Sequence, residues 1–302
     1  LNSSGNVFIN SNLSNNDLLG GYGDVAMEGN NSLNTTLINT SFNQSNVLFK
    51  DSGNGSFYVN WYLDAYVNDS EGAINATVSS NDITGASVFS LATGSDGNIV
   101  QQNITEYSET CSGCSNWNNG TKNYLTNYTI NPTKSGYTKN SQKLNITDSS
   151  QLMITLNKNP SITLLDVTPD NPTTFDDLIC NVTIEDIDSG DSLSANYTWY
   201  RNGVVNLSGS FVVNNGTANW TTLDNVNTSE EQNWTCKVTP YDGNENGTSQ
   251  NDSVIIDSCG MRLTGIKILD GNMNCSGTAI TIRGTNSVLD CDGYEINYTS
   301  QS

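Results

Sequence analysis

Apolar and polar residues alternate along most of this chain with a period of two, the pattern of strands that bury one face. Phe57, Val59, Trp61, Leu63, Ala65 and Val67 predict one long strand, closed by the turn Asn68-Asp69-Ser70-Glu71-Gly72. Ile74, Ala76 and Val78 continue in the same style. Leu178, Cys180, Val182 and Ile184 alternate with Ile179, Asn181 and Thr183; Ala195, Tyr197 and Trp199 share one parity, as do Trp234, Cys236 and Val238. Such segments recur at intervals of roughly a dozen positions, with no sustained helical periodicity, which predicts an all-β fold of many short strands. A chain so rich in Asn, Ser, Thr and Gly invites comparison with disordered polymers. That reading competes seriously only over residues 1–20.

The polar positions carry a second pattern. About two dozen Asn-x-Ser/Thr triplets run through the sequence, about twice what composition would supply by chance. In Asn103-Ile104-Thr105, Asn145-Ile146-Thr147, Asn196-Tyr197-Thr198, Asn219-Trp220-Thr221 and Asn233-Trp234-Thr235 the middle residue is large and apolar. On a strand it enters the core while Asn and Thr stand outside, within reach of a glycosyltransferase. The expected N-glycosylation sites are Asn75, Asn103, Asn127, Asn145, Asn181, Asn196, Asn206, Asn219, Asn233 and Asn246.

Four segments follow. In residues 158–257, a Cys, a Trp and a second Cys each fall on buried parity (Cys180, Trp199, Cys236), and this stretch resembles immunoglobulin-like domains. Tyr197-Thr198-Trp199-Tyr200-Arg201-Asn202-Gly203 resembles strand C of that family, and Asn233-Trp234-Thr235-Cys236 resembles strand F. Trp234 departs from it, standing where many members carry a corner tyrosine. Both cysteines lie on buried parity, so a Cys180–Cys236 disulfide is expected, closing a loop of nearly sixty residues. Residues 59–157 form a second expected sandwich. Its long first strand, Tyr128-Thr129-Ile130, Lys134-Ser135-Gly136-Tyr137 and Leu152-Met153-Ile154-Thr155-Leu156 resemble the transthyretin-like (carboxypeptidase regulatory-like or CnaB-like) modules, which implies a spacer. Pro160 marks a short linker.

The ends read as halves of another architecture. Cys275 to Ile282 and Val288 to Ile296 resemble opening coils of the right-handed parallel β-helices of archaeal and bacterial surface proteins. Asn6-Val7-Phe8-Ile9-Asn10 and Leu37-Ile38-Asn39-Thr40-Ser41-Phe42 resemble closing coils. Asn suits such coils because it tolerates left-handed turns between strands. The expectation is therefore an all-β chain, two β-sandwich domains flanked by partial right-handed parallel β-helix segments at residues 1–58 and 258–302. Edge strands packed on the sandwiches are the competing reading of both ends. Coils cannot bury their own ends, so residues 258–302 are expected to stack on residues 1–58 of a further copy, head to tail. A start at Leu1, without an initiator Met or signal peptide, reads as a processed chain or a piece of a longer one.

Charge and composition narrow the function. A length of 302 residues fits two or three domains, and a net charge of −20 with a pI near 4.1 argues against nucleic acid and anionic membrane surfaces as partners. No apolar run approaches the roughly 20 residues that span a bilayer. There is no His, which removes Ser-His-Asp catalysis and His-ligated zinc. No carboxylate pair stands out for glycoside chemistry, and the chain is read as a non-enzyme that needs no cofactor.

Seven cysteines point to disulfides with one left over. Cys111-Ser112-Gly113-Cys114 has three readings, a redox pair, a metal knuckle or a tight loop staple. The staple is favoured because no second Cys pair or His accompanies it. The β-helix resemblance implies Cys259 paired with Cys275, leaving Cys291 as a buried thiol. In Glu185-Asp186-Ile187-Asp188-Ser189-Gly190-Asp191, the residues Asp186, Asp188 and Asp191 form an oxygen-rich turn of the kind Ca2+ accepts, though without full EF-hand spacing. A solvated acidic turn is the plainer alternative.

The sequence is thus read as an extracellular, N-glycosylated structural subunit of a surface filament, sheath or surface layer, whose partners are its own copies and its glycans. The alternative is a cell-surface adhesin or carbohydrate-binding module on a β-domain stalk.

Overall fold

The computed structural model describes residues 5–13, 25–28, 34–45, 47–50, 56–114, 116–257, 259–269, 271–275 and 277–298. Among these the fold is all-β, with a single 3-10 turn at Asn225–Asn227. The chain divides into two compact units, residues 1–158 and 159–302.

The first unit is organised around the strand Ser56–Asp69, whose 14 residues alternate strictly between partly and fully buried. One edge of this strand is shared by two parallel neighbours. Thr35–Ile38 pairs with its first half, from Thr35↔Phe57 to Ile38↔Asn60. Ser150–Thr155 pairs with its second half, from Ser150↔Leu63 to Thr155↔Asn68. The other edge takes Gln102–Thr110 in antiparallel register. Residues 58 and 59, the expected junction between coils and sandwich, are consecutive positions of this strand, because the apolar alternation starts at Phe57 and runs through them. A second sheet orders Gln142–Leu144, Tyr128–Thr133, Thr77–Asn81 and Ser87–Ala92. Phe57, Val59, Leu63, Ile104, Tyr128, Ile130 and Ile146 belong to one core, each at most 1% exposed. Burying a side chain of this size contributes about 1.5–3 kcal/mol.

Ahead of the long strand, Val7–Ile9 pairs in parallel with Thr35–Ile38, and Val25–Glu28 with Val47–Lys50. These are coil-on-coil pairings. Asn10, Asn34 and Asn39 adopt φ of 50°, 53° and 47°, the left-handed turns that Asn accepts. Asn39 Nδ2 donates to Asn10 Oδ1 at 2.8 Å, so the two turn residues are linked side chain to side chain. Within the stretch 1–20, residues 5–13 carry the strand Val7–Ile9, and the rest lies outside the described residues.

The second unit contains a sandwich of two antiparallel sheets. One orders Ser161–Thr168, Leu178–Glu185 and Ala218–Leu223; the other orders Val204–Val212, Ser194–Arg201, Asn233–Tyr241 and Gln250–Ile255. Cys180 and Cys236 join the two sheets, and Trp199 stands directly across from Cys236 in the register. All three are fully buried with Trp234. Trp234, the departure from a corner tyrosine, uses its indole Nε1 to donate to Gln232 Oε1 at 2.9 Å.

After the sandwich, Met261–Leu263, Ile266–Ile268 and Met273–Cys275 pair in parallel with Ile280–Ile282, Val288–Asp290 and Ile296–Tyr298. Three strands of one coil thus each meet their counterpart in the next. Cys259, Met261, Leu269, Met273 and Cys275 make the small core between them.

Candidate functional site

The outer face of the three-stranded sheet in the second unit is built by register. Cα partners run in rows across it: Leu164, Thr183 and Ala218; then Asp166, Asn181 and Trp220; then Thr168, Ile179 and Thr222. Leu165, Val182 and Asn219 share the opposite, core-facing parity, as do Val167, Cys180 and Thr221. Trp220 therefore points away from the core and is 63% exposed. This overturns the expectation that it is the buried middle residue of its triplet. The parity of Ala218–Leu223 is set by Leu223, which is buried against this core and pairs with Leu178. Counting back in twos from Leu223 puts Thr221 and Asn219 inside and Trp220 outside. On the outer face Asn181 Nδ2 donates to Thr168 Oγ1 at 3.2 Å and to the Asp166 carbonyl at 3.5 Å, fixing a polar row beside the indole.

The other asparagines fall as follows. Asn75, Asn103, Asn127, Asn145, Asn196, Asn206, Asn233 and Asn246 are exposed, whereas Asn181 and Asn219 are half-buried. Ile104, Ile146 and Trp234 are buried behind their exposed asparagines, while Tyr197 is half-buried and packs against Phe211. Asn219, on the inner parity, donates its Nδ2 to the Thr217 carbonyl at 3.0 Å.

Cysteine pairs join Cys111 to Cys114, Cys180 to Cys236 and Cys259 to Cys275. Cys291 is free and half-buried against the core of the C-terminal coils.

The acidic turn contributes Asp186 and Asp191 to a carboxylate cluster whose third member is Asp242, from the loop that follows Asn233–Tyr241. Asp188 serves differently: its backbone N–H donates to Asp186 Oδ1 at 2.9 Å, and its carboxylate is not in the group. Asp242 escaped sequence reasoning because about fifty residues separate it from the turn, and only strand pairing brings the loops together. Burial first, then the charges of Asp188, Asp191 and Asp242, hold Asp186 above the ordinary carboxylate range; the Asp188 N–H opposes them. Burial, Asp242 and Asp188 act likewise on Asp191.

A second set of buried acids lies in the first unit. Glu106 accepts from Trp61 Nε1 at 2.7 Å and from Gln44 Nε2 at 3.0 Å. Glu109 accepts the Gly120 N–H at 2.9 Å. Lys122 sits 4.5 Å from the centroid of the Tyr107 ring. Their partners come from the strand Ser56–Asp69 and from the segments at Gln44 and Gly120 of the same unit.

No protein-family model matches this chain, and no curated protein matches it. Solved structures similar to it include a DUF3823 family protein from Parabacteroides merdae, 10% identical, covering 66% of this chain and 98% of that one at a TM-score of 0.28. A β-glucuronidase of the same organism is 9% identical, covering 69% and 29% at 0.27. A bacterial ice-binding adhesin is 9% identical, covering 69% and 68% at 0.27. At such identities and scores the likeness carries no argument about architecture or activity.

Proposed function

We propose that this chain is a non-catalytic, extracellular β-module of a cell-surface protein, an adhesin-type stalk that contacts carbohydrate through the outer face of its three-stranded sheet. The observation that carries this reading is Trp220, an indole 63% exposed on a flat strand surface and bordered by Asp166, Asn181 and Thr222. An aromatic ring left in water marks a contact surface more often than a scattered aliphatic residue does. Its face suits the C–H side of a sugar ring, and the neighbouring carboxylate, amide and hydroxyl suit sugar hydroxyls. Three cysteine pairs suit an oxidising compartment, and the exposed sequon asparagines fit the same location.

The test is a glycan array probed with the parent chain and with Trp220→Ala. Binding of the parent to a defined set of glycans, lost in the variant, supports the reading. Equal binding by both overturns the assignment of this face.

A second reading, head-to-tail self-association, is favoured by apolar side chains exposed on the coils. Val7, Phe8 and Ile9 are each about half exposed, as are Ile268 and Val288, while Ile266 and Ile282 are more so. Exposed apolar side chains clustered on such coils make a surface that a further copy can cover. Sedimentation velocity across a hundredfold concentration range separates the two readings, because a stalk stays monomeric and a filament subunit does not.

A further inference from the structure

The carboxylate cluster lies in loops apart from the outer face of the three-stranded sheet. One carboxylate oxygen from each of Asp186, Asp191 and Asp242 lies within 4.8 Å of the other two. The residues come from two loops: residues 186–193, between Leu178–Glu185 and Ser194–Arg201, and residues 242–249, between Asn233–Tyr241 and Gln250–Ile255. The loops meet closely, since a Cβ built on Gly243 would come within 4.0 Å of the Ser192 carbonyl.

Burial is what separates this cluster from an ordinary acidic turn. Asp242 is 1% exposed and Asp186 9%. Their positions are fixed from behind: Asp242 Oδ1 accepts the N–H groups of Asn244 and Glu245, both at 2.7 Å. The Asp186 backbone is clamped by Asn215, which accepts its N–H at 3.0 Å and donates to its carbonyl at 2.6 Å. Yet the Oδ2 atoms of Asp186 and Asp191 are sealed from water with no hydrogen-bond partner. The charges acting on both residues are all negative. Buried, unpaired carboxylate oxygens facing further carboxylates are costly for a fold to keep, and a cation between them would remove that cost.

We propose that Asp186, Asp191 and Asp242 bind a Ca2+ ion that ties the two loops together at one end of the sandwich. All the donors are hard oxygens, and the chain contains no His to offer a transition metal. Oxygens within 4.8 Å of one another fit a shell with Ca2+–oxygen distances of roughly 2.3–2.6 Å, and loop carbonyls and water can complete its six to eight ligands. The rigid, smaller octahedron that Mg2+ demands fits such a loop-built site less well.

The experiment is thermal unfolding of the whole chain after dialysis against EDTA, with CaCl2 or MgCl2 added at 10 mM and ionic strength held constant. With an affinity in the 0.1–1 mM range of extracellular Ca2+ modules, Ca2+ raises Tm by about 3–10 °C. Mg2+ has much less effect, which controls for screening of the net charge of −20. Asp191→Asn weakens Ca2+ binding by calorimetry at least tenfold. Asp188→Asn, whose backbone contact survives, changes it by less than threefold. Asp242→Asn risks the fold through its backbone hydrogen bonds, so Asp191→Asn is the deciding variant. Equal shifts from Ca2+ and Mg2+, an unchanged Tm, or an Asp191→Asn chain that responds like the parent would each overturn the site.

Discussion

Asn181 and Trp220 are direct cross-strand partners on the outer face of one sheet, a sequon asparagine beside the most solvent-open tryptophan of the sandwich. Neighbours in such a register lie about 5 Å apart at Cβ. The Asn181 amide is held beside the indole by Thr168 Oγ1 and the Asp166 carbonyl, so this sequon is expected to stay bare and to leave Trp220 open to another molecule.

Removing the indole tests the face without threatening the fold. Trp220→Ala is expected to change unfolding free energy by no more than about 0.5 kcal/mol, as for surface positions in general. Chemical denaturation measures this. A loss of several kcal/mol would mean that Trp220 is a packing residue.

Side-chain direction predicts which sequons carry sugar. Asn103, Asn145 and Asn233 are exposed in front of buried apolar residues and are expected to be occupied. Asn219 is expected to stay bare, because it shares the inner parity with Val182 and its amide is held by the Thr217 carbonyl. Peptide mapping by mass spectrometry of secreted material reads out each site. Full occupancy at Asn219 would contradict the register of Ala218–Leu223.

The inter-sheet disulfide closes a sequence separation of 56. Replacing Cys180 and Cys236 together by Ala is expected to destabilise the sandwich by about 4 kcal/mol in the chain-entropy model, with some further loss from packing. Urea unfolding followed by tryptophan fluorescence measures it, since Trp199 is opposite Cys236. A cost below about 1 kcal/mol would show that the bond adds little to an already stable core.

Glu109 sets a pH dependence for the first unit. It is 1% exposed, and its Oε2 has no partner. Burial raises its pKa, against the opposing effects of the Gly120 N–H and the Lys122 charge. A raised folded-state pKa means the native chain holds this proton where the unfolded chain has released it. Stability contributed by Glu109 is thus greatest at low pH and falls as pH rises from the ordinary glutamate value through the folded one. Melting curves between pH 4 and 8 should show that slope, and Glu109→Gln should flatten it.

Gly97 is a backbone requirement. It has φ of +76°, and an added Cβ would meet the Val67 carbonyl at 2.6 Å and the Tyr66 ring at 2.8 Å. Gly97→Ala combines left-handed strain with a clash against the long strand, and is expected to cost about 2–4 kcal/mol. An unchanged Tm for this variant would refute the close approach.

Strand content was legible in the sequence because alternation is a local property: each inward side chain of Ser56–Asp69 is set by the pleat alone. The same logic carried Cys180, Trp199 and Cys236 to the core, and the left-handed asparagines to the coil turns. Parity alone misled at Ala218–Leu223. There a large apolar residue suggested an inward face, but Leu223 and the pairing with Leu178–Glu185 fixed the opposite one. The sharing of one strand between coils and sandwich was equally hidden, because parallel partners arrive from distant parts of the chain. Sequence by itself determined that the chain is built of short strands and, where an alternating apolar run is long, which face is buried, since both follow from neighbours two positions apart. Only the tertiary structure could decide that Asp242 meets Asp186 and Asp191, or that Trp220 faces water, because register and loop contact depend on residues tens of positions away.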